Sequence, residues 1–158
     1  MDKVKVTIND REYEVPAGTT VLDAARLANI DIPTLCYLRE INEIGACRIC
    51  LVEVSEGGKP FRMVTSCVYP VYDGMVIKTD SPKIQKARKL NLELLLSNHN
   101  MDCLSCIRST NCELQKLCRD YGVTSSYFVG ERTKAAKDES SPSIVRDNTK
   151  CILCRRCV

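Results

Sequence analysis

Apolar and polar residues alternate at the start of the chain. Over residues 3–9 every second side chain is apolar, which predicts a strand with one face turned inward. That face carries Val4, Val6 and Ile8. A turn follows at Asn9, and residues 12–15 return as a second strand, so the pattern predicts a hairpin. A threonine then precedes apolar residues at helical spacing, which predicts a capped helix over residues 21–29.

Three further strands and a long helix are predicted in the middle of the chain. The strands cover residues 51–54, 61–65 and 75–79, with glycine turns between them. A serine followed by Pro82 is a strong helix start, and the helical pattern continues to Asn98. We expect a broad buried face on this helix, formed by Ile84, Ala87, Asn91, Leu94 and Leu95 and widened by Leu90, Leu92 and Leu96.

The last part of the chain is more polar. Residues 112–118 predict a short helix that stops near Gly122, residues 130–143 a linker or surface loop, and residues 143–146 a short strand. Together these elements predict an α+β fold. A hairpin followed by a helix that crosses it is the opening of a β-grasp, as in plant-type ferredoxins.

Eleven cysteines occur among 158 residues. Because eleven is odd, complete disulfide pairing is impossible, and the C-x-x-C spacing is better suited to metal ligands than to a disulfide framework. The apolar stretch that a signal peptide needs is missing after Met1, and no apolar run is as long as a membrane span. We therefore expect a cytoplasmic protein with metal-bound thiolates and no membrane span.

Charge and catalytic motifs exclude other classes of function. The net charge is +3, from 23 basic and 20 acidic residues, which is too weak to indicate nucleic-acid binding. The sequence shows no nucleophile–base pair, no phosphate-binding loop and no paired carboxylates, so no catalytic residues are predicted.

The first cysteine set is Cys36, Cys47, Cys50 and Cys67. A tight C-x-x-C with two further cysteines is typical of a [2Fe–2S] cluster held by four thiolates. A structural zinc site is the alternative, because zinc also takes four cysteines. Ten residues separate the first two cysteines, where plant-type ferredoxins have four. Backbone amides of the loop over residues 45–48 are candidate donors to cluster sulfur.

The second set is His99, Cys103, Cys106 and Cys112. Three cysteines leave a [4Fe–4S] cluster one ligand short, and a neutral imidazole nitrogen can supply the fourth. Such a cluster is one charge unit less negative than a four-thiolate cluster, which should ease its reduction. In the alternative interpretation Cys118 is the fourth ligand and His99 a bystander; otherwise Cys118 is a buried, inert thiol.

The third set is Cys151, Cys154 and Cys157. This C-x-x-C-x-x-C run resembles the bacterial ferredoxin run, which has a fourth cysteine before a proline. Here that fourth cysteine is missing, so these three thiols form an incomplete [4Fe–4S] site and can be without a cluster in this fragment. The interrupted motif predicts a longer parent chain.

The three motifs together closely resemble the N-terminal iron–sulfur module of [FeFe] (iron-only) hydrogenases, with the NAD(P)-linked multi-subunit members nearest. They are C-x10-C-x2-C-x16-C, then H-x3-C-x2-C-x5-C after the sequence LLLSN, then KCILCRRC near the end. The same module opens the complex I large iron–sulfur subunit, the formate dehydrogenase alpha subunit and the diaphorase iron–sulfur subunit of NAD-reducing nickel–iron hydrogenases. The CRRC tail favours the hydrogenases over complex I.

The resemblance implies an iron–sulfur electron-transfer relay within a larger oxidoreductase. The implied domains are a [2Fe–2S] β-grasp over 1–79, a small and mostly helical [4Fe–4S] domain with one histidine and three cysteine ligands over 80–122, a linker over 123–149 and the truncated start of a two-cluster ferredoxin domain over 150–158. The relay would connect an NAD(P)H/flavin or ferredoxin partner with a distant H-cluster and further [4Fe–4S] clusters in the parent. Implied partners are a flavin-containing NAD(P)H-oxidising subunit and a thioredoxin-like [2Fe–2S] subunit. A zinc-binding interaction domain is the alternative of another class.

Overall fold

The computed structural model describes residues 2–41, 43–132 and 136–157. Contacts between residues divide the chain into two units. The first is Met1–Arg88 with Arg155–Val158, and the second is Lys89–Cys154. The domain boundaries expected near residues 79, 122 and 149 stay predictions.

A five-stranded sheet, one helix and the first part of a second helix form the first unit. The strands are β1 (Lys3–Ile8), β2 (Arg11–Pro16), β3 (Leu51–Ser55), β4 (Arg62–Thr65) and β5 (Met75–Lys78). Their order in the sheet is β2-β1-β5-β3-β4. The β1 and β5 strands pair in parallel and all other neighbours are antiparallel. The helix α1 (Val21–Leu27) lies between the first hairpin and β3 in the chain. All five predicted strands are present, and the predicted α+β class is confirmed.

Local sequence explains how the first hairpin and α1 form. Asn9 and Asp10 both have positive φ, 47° and 65°, as a two-residue turn of this hand requires. Thr20 caps α1, since its side-chain oxygen accepts a hydrogen bond from the Asp23 amide at 3.1 Å. The inward face predicted from the alternation of apolar residues in β1 is also observed, because Val6 and Ile8 are buried in the core.

The long helix α2 (Pro82–Asn98) has the predicted bounds, but its predicted buried face is wrong in part. The side chains of Leu90 and Leu94 are about half exposed. The buried residues of this helix form a row with a spacing of four, Ile84, Arg88, Leu92 and Leu96, and Glu93 is buried next to the row. The pattern of apolar residues could not predict this row, because one of its four positions is a charged arginine.

Beyond the end of α2, the described residues of the second unit form one further helix and little other regular structure. The helix α3 (Glu113–Asp120) confirms the short helix predicted there, and Gly122 with φ +63° follows its end. The strand predicted over residues 143–146 is wrong in its extent. In the described part of this region, the two-residue strands β6 (Lys137–Asp138) and β7 (Arg146–Asp147) pair with each other, and a 3₁₀ turn follows at Asn148–Lys150. Ile144 and Val145 lie outside both strands and are exposed.

A membrane-crossing helix is not found in the part of the chain that the structure describes.

Candidate metal centres

Strand pairing brings two of the first four cysteines together. Cys50 directly precedes β3, and Cys67 lies two residues after β4. The antiparallel register pairs Leu51 with Thr65, so both cysteines lie at the same end of this pair. Their Sγ atoms are 3.3 Å apart. Both residues are almost completely buried, at 1% and 0% exposure.

The remaining two cysteines of this set come from the segment between α1 and β3. Cys36 is 1% exposed and Cys47 is 9% exposed. A hydrogen bond from the Cys47 thiol is the main cause that lowers the pKa of Cys36 to about 5, and it raises the pKa of Cys47. Likewise the Cys67 thiol lowers the pKa of Cys50 to about 6, and the pKa of Cys67 is raised.

The two thiol pairs also interact with each other. Charge on Cys36 raises the pKa of both Cys50 and Cys67, and charge on Cys47 raises that of Cys67. The structure thus brings the four predicted residues into one buried group. Without bound iron, four thiolates in such a group would repel one another, and one thiol of each pair, Cys47 or Cys67, accordingly has a raised pKa. A cationic iron core would let all four ionise.

The loop between Gly45 and Arg48 supplies backbone donors to this group. Both residues have positive φ, 62° and 57° respectively. For Arg48 this conformation costs on the order of 1–3 kcal/mol, so surrounding contacts must hold it. The backbone amides of Ala46 and Cys47 stabilise the Cys36 thiolate and contribute to its lowered pKa. The donors expected in this loop are therefore in place at the cysteine sulfur.

A buried hydroxyl completes the first site. Ser66 is 0% exposed, and its Oγ atom has no hydrogen-bond partner among the described residues. Its hydroxyl does act as a donor toward the Cys50 thiolate, since it contributes to the lowered pKa of that thiol. The sulfur atoms of a bound cluster would offer it an acceptor, so the donor set and its surroundings fit an iron–sulfur cluster.

Three of the four residues of the second set line a cavity of about 580 Å³ in the second unit. His99, Cys103 and Cys112 line this cavity, together with Cys118 and apolar side chains such as Leu96 and Leu114. Cys112 caps α3, and its Sγ accepts a hydrogen bond from the Gln115 amide at 3.4 Å.

Cys106 lies in the turn that follows Cys103, where its amide donates to the Cys103 carbonyl at 3.2 Å. It is half-buried and is not among the residues that line the cavity. The structure thus brings His99, Cys103 and Cys112 to one cavity, with Cys106 on the adjoining turn.

His99 has the properties of a neutral ligand. Its Nδ1 atom is buried and has no hydrogen-bond partner among the described residues. Burial lowers the pKa of the imidazole, and the nearby positive charge of Lys150 lowers it further. A neutral imidazole keeps a lone pair for iron. This side chain therefore fits the fourth-ligand role better than a bystander role.

Cys118 lies on the same cavity. It is 7% exposed, and burial raises its pKa to about 11, with smaller contributions from Cys112 and Cys103. This supports its interpretation as a small buried apolar residue beside the site.

The members of the third set belong to different units. Cys151 and Cys154 are half-buried in the second unit. Leu153 between them has a positive φ of 54° and donates its amide to the Cys151 Sγ at 3.4 Å. Cys157 is exposed and belongs to the first unit.

All eleven cysteines lie within the described ranges, and none of them forms a disulfide bond. Across those ranges, no group of three or more His, Cys, Asp or Glu side chains is arranged around a single metal ion, so the fit described above is to the larger iron–sulfur clusters.

Comparison with known families covers both of the first two sites. Residues 1–82 match the model of a 2Fe-2S iron-sulfur cluster binding domain. The chain belongs to this family. Residues 88–126 match the NADH-ubiquinone oxidoreductase-G iron-sulfur binding region. Both predicted cofactors, a [2Fe–2S] and a [4Fe–4S] cluster, are thereby confirmed. The individual ligands stay predictions.

Similar proteins are components of NAD(P)-linked oxidoreductases. The chain is 45% identical to the NADP-reducing hydrogenase subunit HndD of Solidesulfovibrio fructosivorans, over 99% of this chain and 27% of that protein. It is 38% identical to the mitochondrial NADH-ubiquinone oxidoreductase 78 kDa subunit of Candida albicans, over 99% of this chain and 22% of that protein. The chain thus spans about a quarter of the length of these curated relatives.

A solved structure shares the fold. It is the crystal structure of an NAD+-reducing [NiFe]-hydrogenase in the H2-reduced state, with a TM-score of 0.88 and 33% identity over 98% of this chain and 64% of that one. The predicted resemblance to the module common to hydrogenases and complex I is confirmed. The chain is an iron–sulfur module of the type found in NAD(P)-linked oxidoreductases.

Proposed function

We propose that this module is the electron relay of an NAD(P)-linked [FeFe] hydrogenase. It passes electrons between an NAD(P)H/flavin or ferredoxin partner and a distant H-cluster that none of these residues form. The observation that carries the relay function is the sealed group of four thiols, with Cys50 and Cys67 sulfurs 3.3 Å apart and each cysteine at most 9% exposed. The similarity to an NADP-reducing hydrogenase subunit supports the choice of parent enzyme.

The proposed ligands follow the three sequence motifs. Cys36, Cys47, Cys50 and Cys67 hold the [2Fe–2S] cluster; His99, Cys103, Cys106 and Cys112 hold the [4Fe–4S] cluster; Cys151, Cys154 and Cys157 begin a further [4Fe–4S] site. Bound clusters supply one-electron storage, and the protein determines where each centre lies and how easily it accepts an electron.

Protein groups around the proposed ligands determine how easily each cluster accepts an electron. The amides of Ala46 and Cys47 donate to Cys36 and reduce its negative charge density. Burial of the first four cysteines excludes water. The neutral imidazole of His99 leaves its site one charge unit less negative than four thiolates would, which eases reduction.

The proposed partners are a flavin-containing subunit that oxidises NAD(P)H and a thioredoxin-like [2Fe–2S] subunit. The names of the relatives, NADP-reducing and NAD+-reducing hydrogenases, support a nicotinamide-linked assembly. The proposed location is the cytoplasm, since a reducing compartment keeps thiols available as ligands.

The same module in complex I, formate dehydrogenase or a nickel–iron hydrogenase diaphorase is the second candidate. The similarity to the NADH-ubiquinone oxidoreductase 78 kDa subunit covers 99% of the chain, the same share as the similarity to the hydrogenase subunit, and it supports complex I as the parent enzyme.

The test uses the full-length protein purified without oxygen. We expect iron and labile sulfide, two distinguishable EPR signals after reduction, and hydrogen uptake coupled to NAD(P)+ reduction in the assembled enzyme. Stoichiometric zinc without iron would refute the relay. Both EPR signals without hydrogenase activity would refute the hydrogenase and favour the second candidate.

A further inference from the structure

The Lys150 side chain connects two cysteine-bearing segments of the second unit. Its ammonium Nζ donates to the Asp102 backbone carbonyl at 2.8 Å and lies 3.4 Å from the Ser105 hydroxyl. Asp102 directly precedes Cys103, Ser105 directly precedes Cys106, and Lys150 directly precedes Cys151. One cation therefore contacts the residues that directly precede two proposed ligands, through the Asp102 carbonyl and the Ser105 hydroxyl, and it directly precedes a third proposed ligand.

A neutral contact lies alongside and fixes the same two segments. The Asn100 amide donates to the Thr149 carbonyl at 2.8 Å. Asn100 directly follows His99, and its Oδ1 accepts from the Asp102 amide at 3.0 Å. The segment that enters the third cysteine run is thus held against the loop of the second cysteine set at two neighbouring points.

The ammonium also balances local negative charge. Each of the two joined segments carries a carboxylate close to the cation: the Asp102 side chain accepts from the Ser105 hydroxyl, and the Asp147 side chain accepts from the Thr149 amide at 3.0 Å. Without Lys150, the negative charge of these two carboxylates would lose a neighbouring positive charge. Since reduction adds a negative charge, such a loss makes reduction less favourable.

We propose that Lys150 is a positioning residue that holds the Cys151 segment against the His99–Cys112 site and, through its charge, raises the reduction potential of the [4Fe–4S] cluster there. The role rests on the proposed ligands of that site. One side chain thereby connects two successive proposed cluster sites. Both the distance between these sites and the difference between their reduction potentials then depend on the Lys150 contact.

The test compares variants in the full-length protein by redox titration followed with EPR. Lys150→Met removes the charge and the donor but keeps the length of the side chain. We expect the ratio of reduced to oxidised [4Fe–4S] cluster, at a fixed potential, to fall about threefold to tenfold, where tenfold corresponds to about 59 mV for one electron. Lys150→Arg keeps the charge and should restore most of the shift.

Two controls separate this role from a general change in charge. Lys116→Met removes a positive charge in the same unit, but Lys116 pairs with Asp120 at 2.9 Å and its side chain is 71% exposed, so we expect little shift. The [2Fe–2S] midpoint in Lys150→Met serves as an internal control and should stay unchanged.

The possible outcomes are distinct. A [4Fe–4S] midpoint in Lys150→Met equal to that of wild type overturns the inference, and so does an equal shift in Lys116→Met. Loss of the [4Fe–4S] signal in Lys150→Met with retention in Lys150→Arg supports it, whereas loss in both variants overturns the charge role. Absence of both cluster signals in the wild-type protein would instead refute the proposed function.

Discussion

His99 and Cys118 are the two residues that separate the alternative ligand sets of the second site. Both line the same cavity, but their chemistry differs. The His99 Nδ1 is buried without a partner in the described part of the chain, whereas the Cys118 thiol has a pKa raised to about 11. A buried imidazole nitrogen without a hydrogen-bond partner keeps a lone pair for iron, and this observation favours His99 as the fourth ligand.

Replacing His99 should therefore affect one cluster and spare the other. In His99→Ala we expect the [4Fe–4S] EPR signal to fall at least about tenfold, because even outer-shell partners of a metal contribute that much to affinity. The [2Fe–2S] signal should be retained. Spin quantitation on the anaerobically reduced protein measures both signals.

The matched control is Cys118→Ser on the same cavity. It removes a thiol of similar burial, and we expect both cluster signals to keep their intensity. If Cys118→Ser abolished the [4Fe–4S] signal while His99→Ala left it unchanged, the ligand assignment would have to be reversed.

At the scale of elements, Arg88 joins α2 to the sheet of the first unit. It is 3% exposed, and its guanidinium donates to the Leu51 carbonyl at 2.7 Å and to the Thr79 carbonyl at 3.0 Å. Leu51 opens β3 directly after Cys50, and Thr79 follows the end of β5. One buried side chain therefore fastens the helix to two neighbouring strands beside the first cysteine set.

Removing this buried contact should destabilise the first unit. In Arg88→Met we expect the free energy of unfolding to fall by roughly 2–4 kcal/mol, because two carbonyls lose charge-assisted hydrogen bonds that are worth about 1.5–3 kcal/mol each, partly offset by relief from burying the charge. Urea unfolding followed by the [2Fe–2S] absorbance measures the change.

Lys86→Met is the control for Arg88→Met, since Lys86 is an exposed cation on the same helix. It should change the free energy of unfolding by less than about 0.5 kcal/mol. Equal urea midpoints for Arg88→Met and the wild-type protein would show that the buried guanidinium contributes nothing to stability.

At the scale of the whole molecule, the order of the first site depends on its cysteines. The described residues between α1 and β3 contain none of the helices or strands defined above, although they carry Cys36, Cys47 and Cys50. Backbone that lacks such pairing has few interactions to hold it, so the bound cluster should contribute much of its order.

Cluster removal should therefore loosen this segment more than the sheet. After chelation of iron in the full-length protein, we expect amide hydrogens over residues 43–50 to exchange at least about tenfold faster, equivalent to about 1.4 kcal/mol of local stability. Hydrogen-exchange mass spectrometry makes the comparison. Amides of β1 and β5 are the internal reference, and unchanged exchange over 43–50 would contradict the dependence on the cluster.

Local sequence determined most elements and all three cysteine sets. Alternation over β1, the threonine cap of α1 and the Ser81-Pro82 start of α2 are properties of adjacent residues, so a single segment is enough to predict them. The cysteine spacing also indicated both clusters, because tight C-x-x-C units already limit the possible geometry of their ligands.

Only the tertiary structure decided which distant groups meet. The β3–β4 register brings Cys50 to Cys67. Arg88 is buried on α2 and donates to the Leu51 carbonyl, whereas Leu94, which was predicted to be buried, is about half exposed. Lys150 donates to the Asp102 carbonyl. Each of these contacts joins residues that are far apart in the chain, and the burial of a cation depends on the carbonyls that surround it. No periodicity within one segment encodes such partners, because they exist only after the chain has folded.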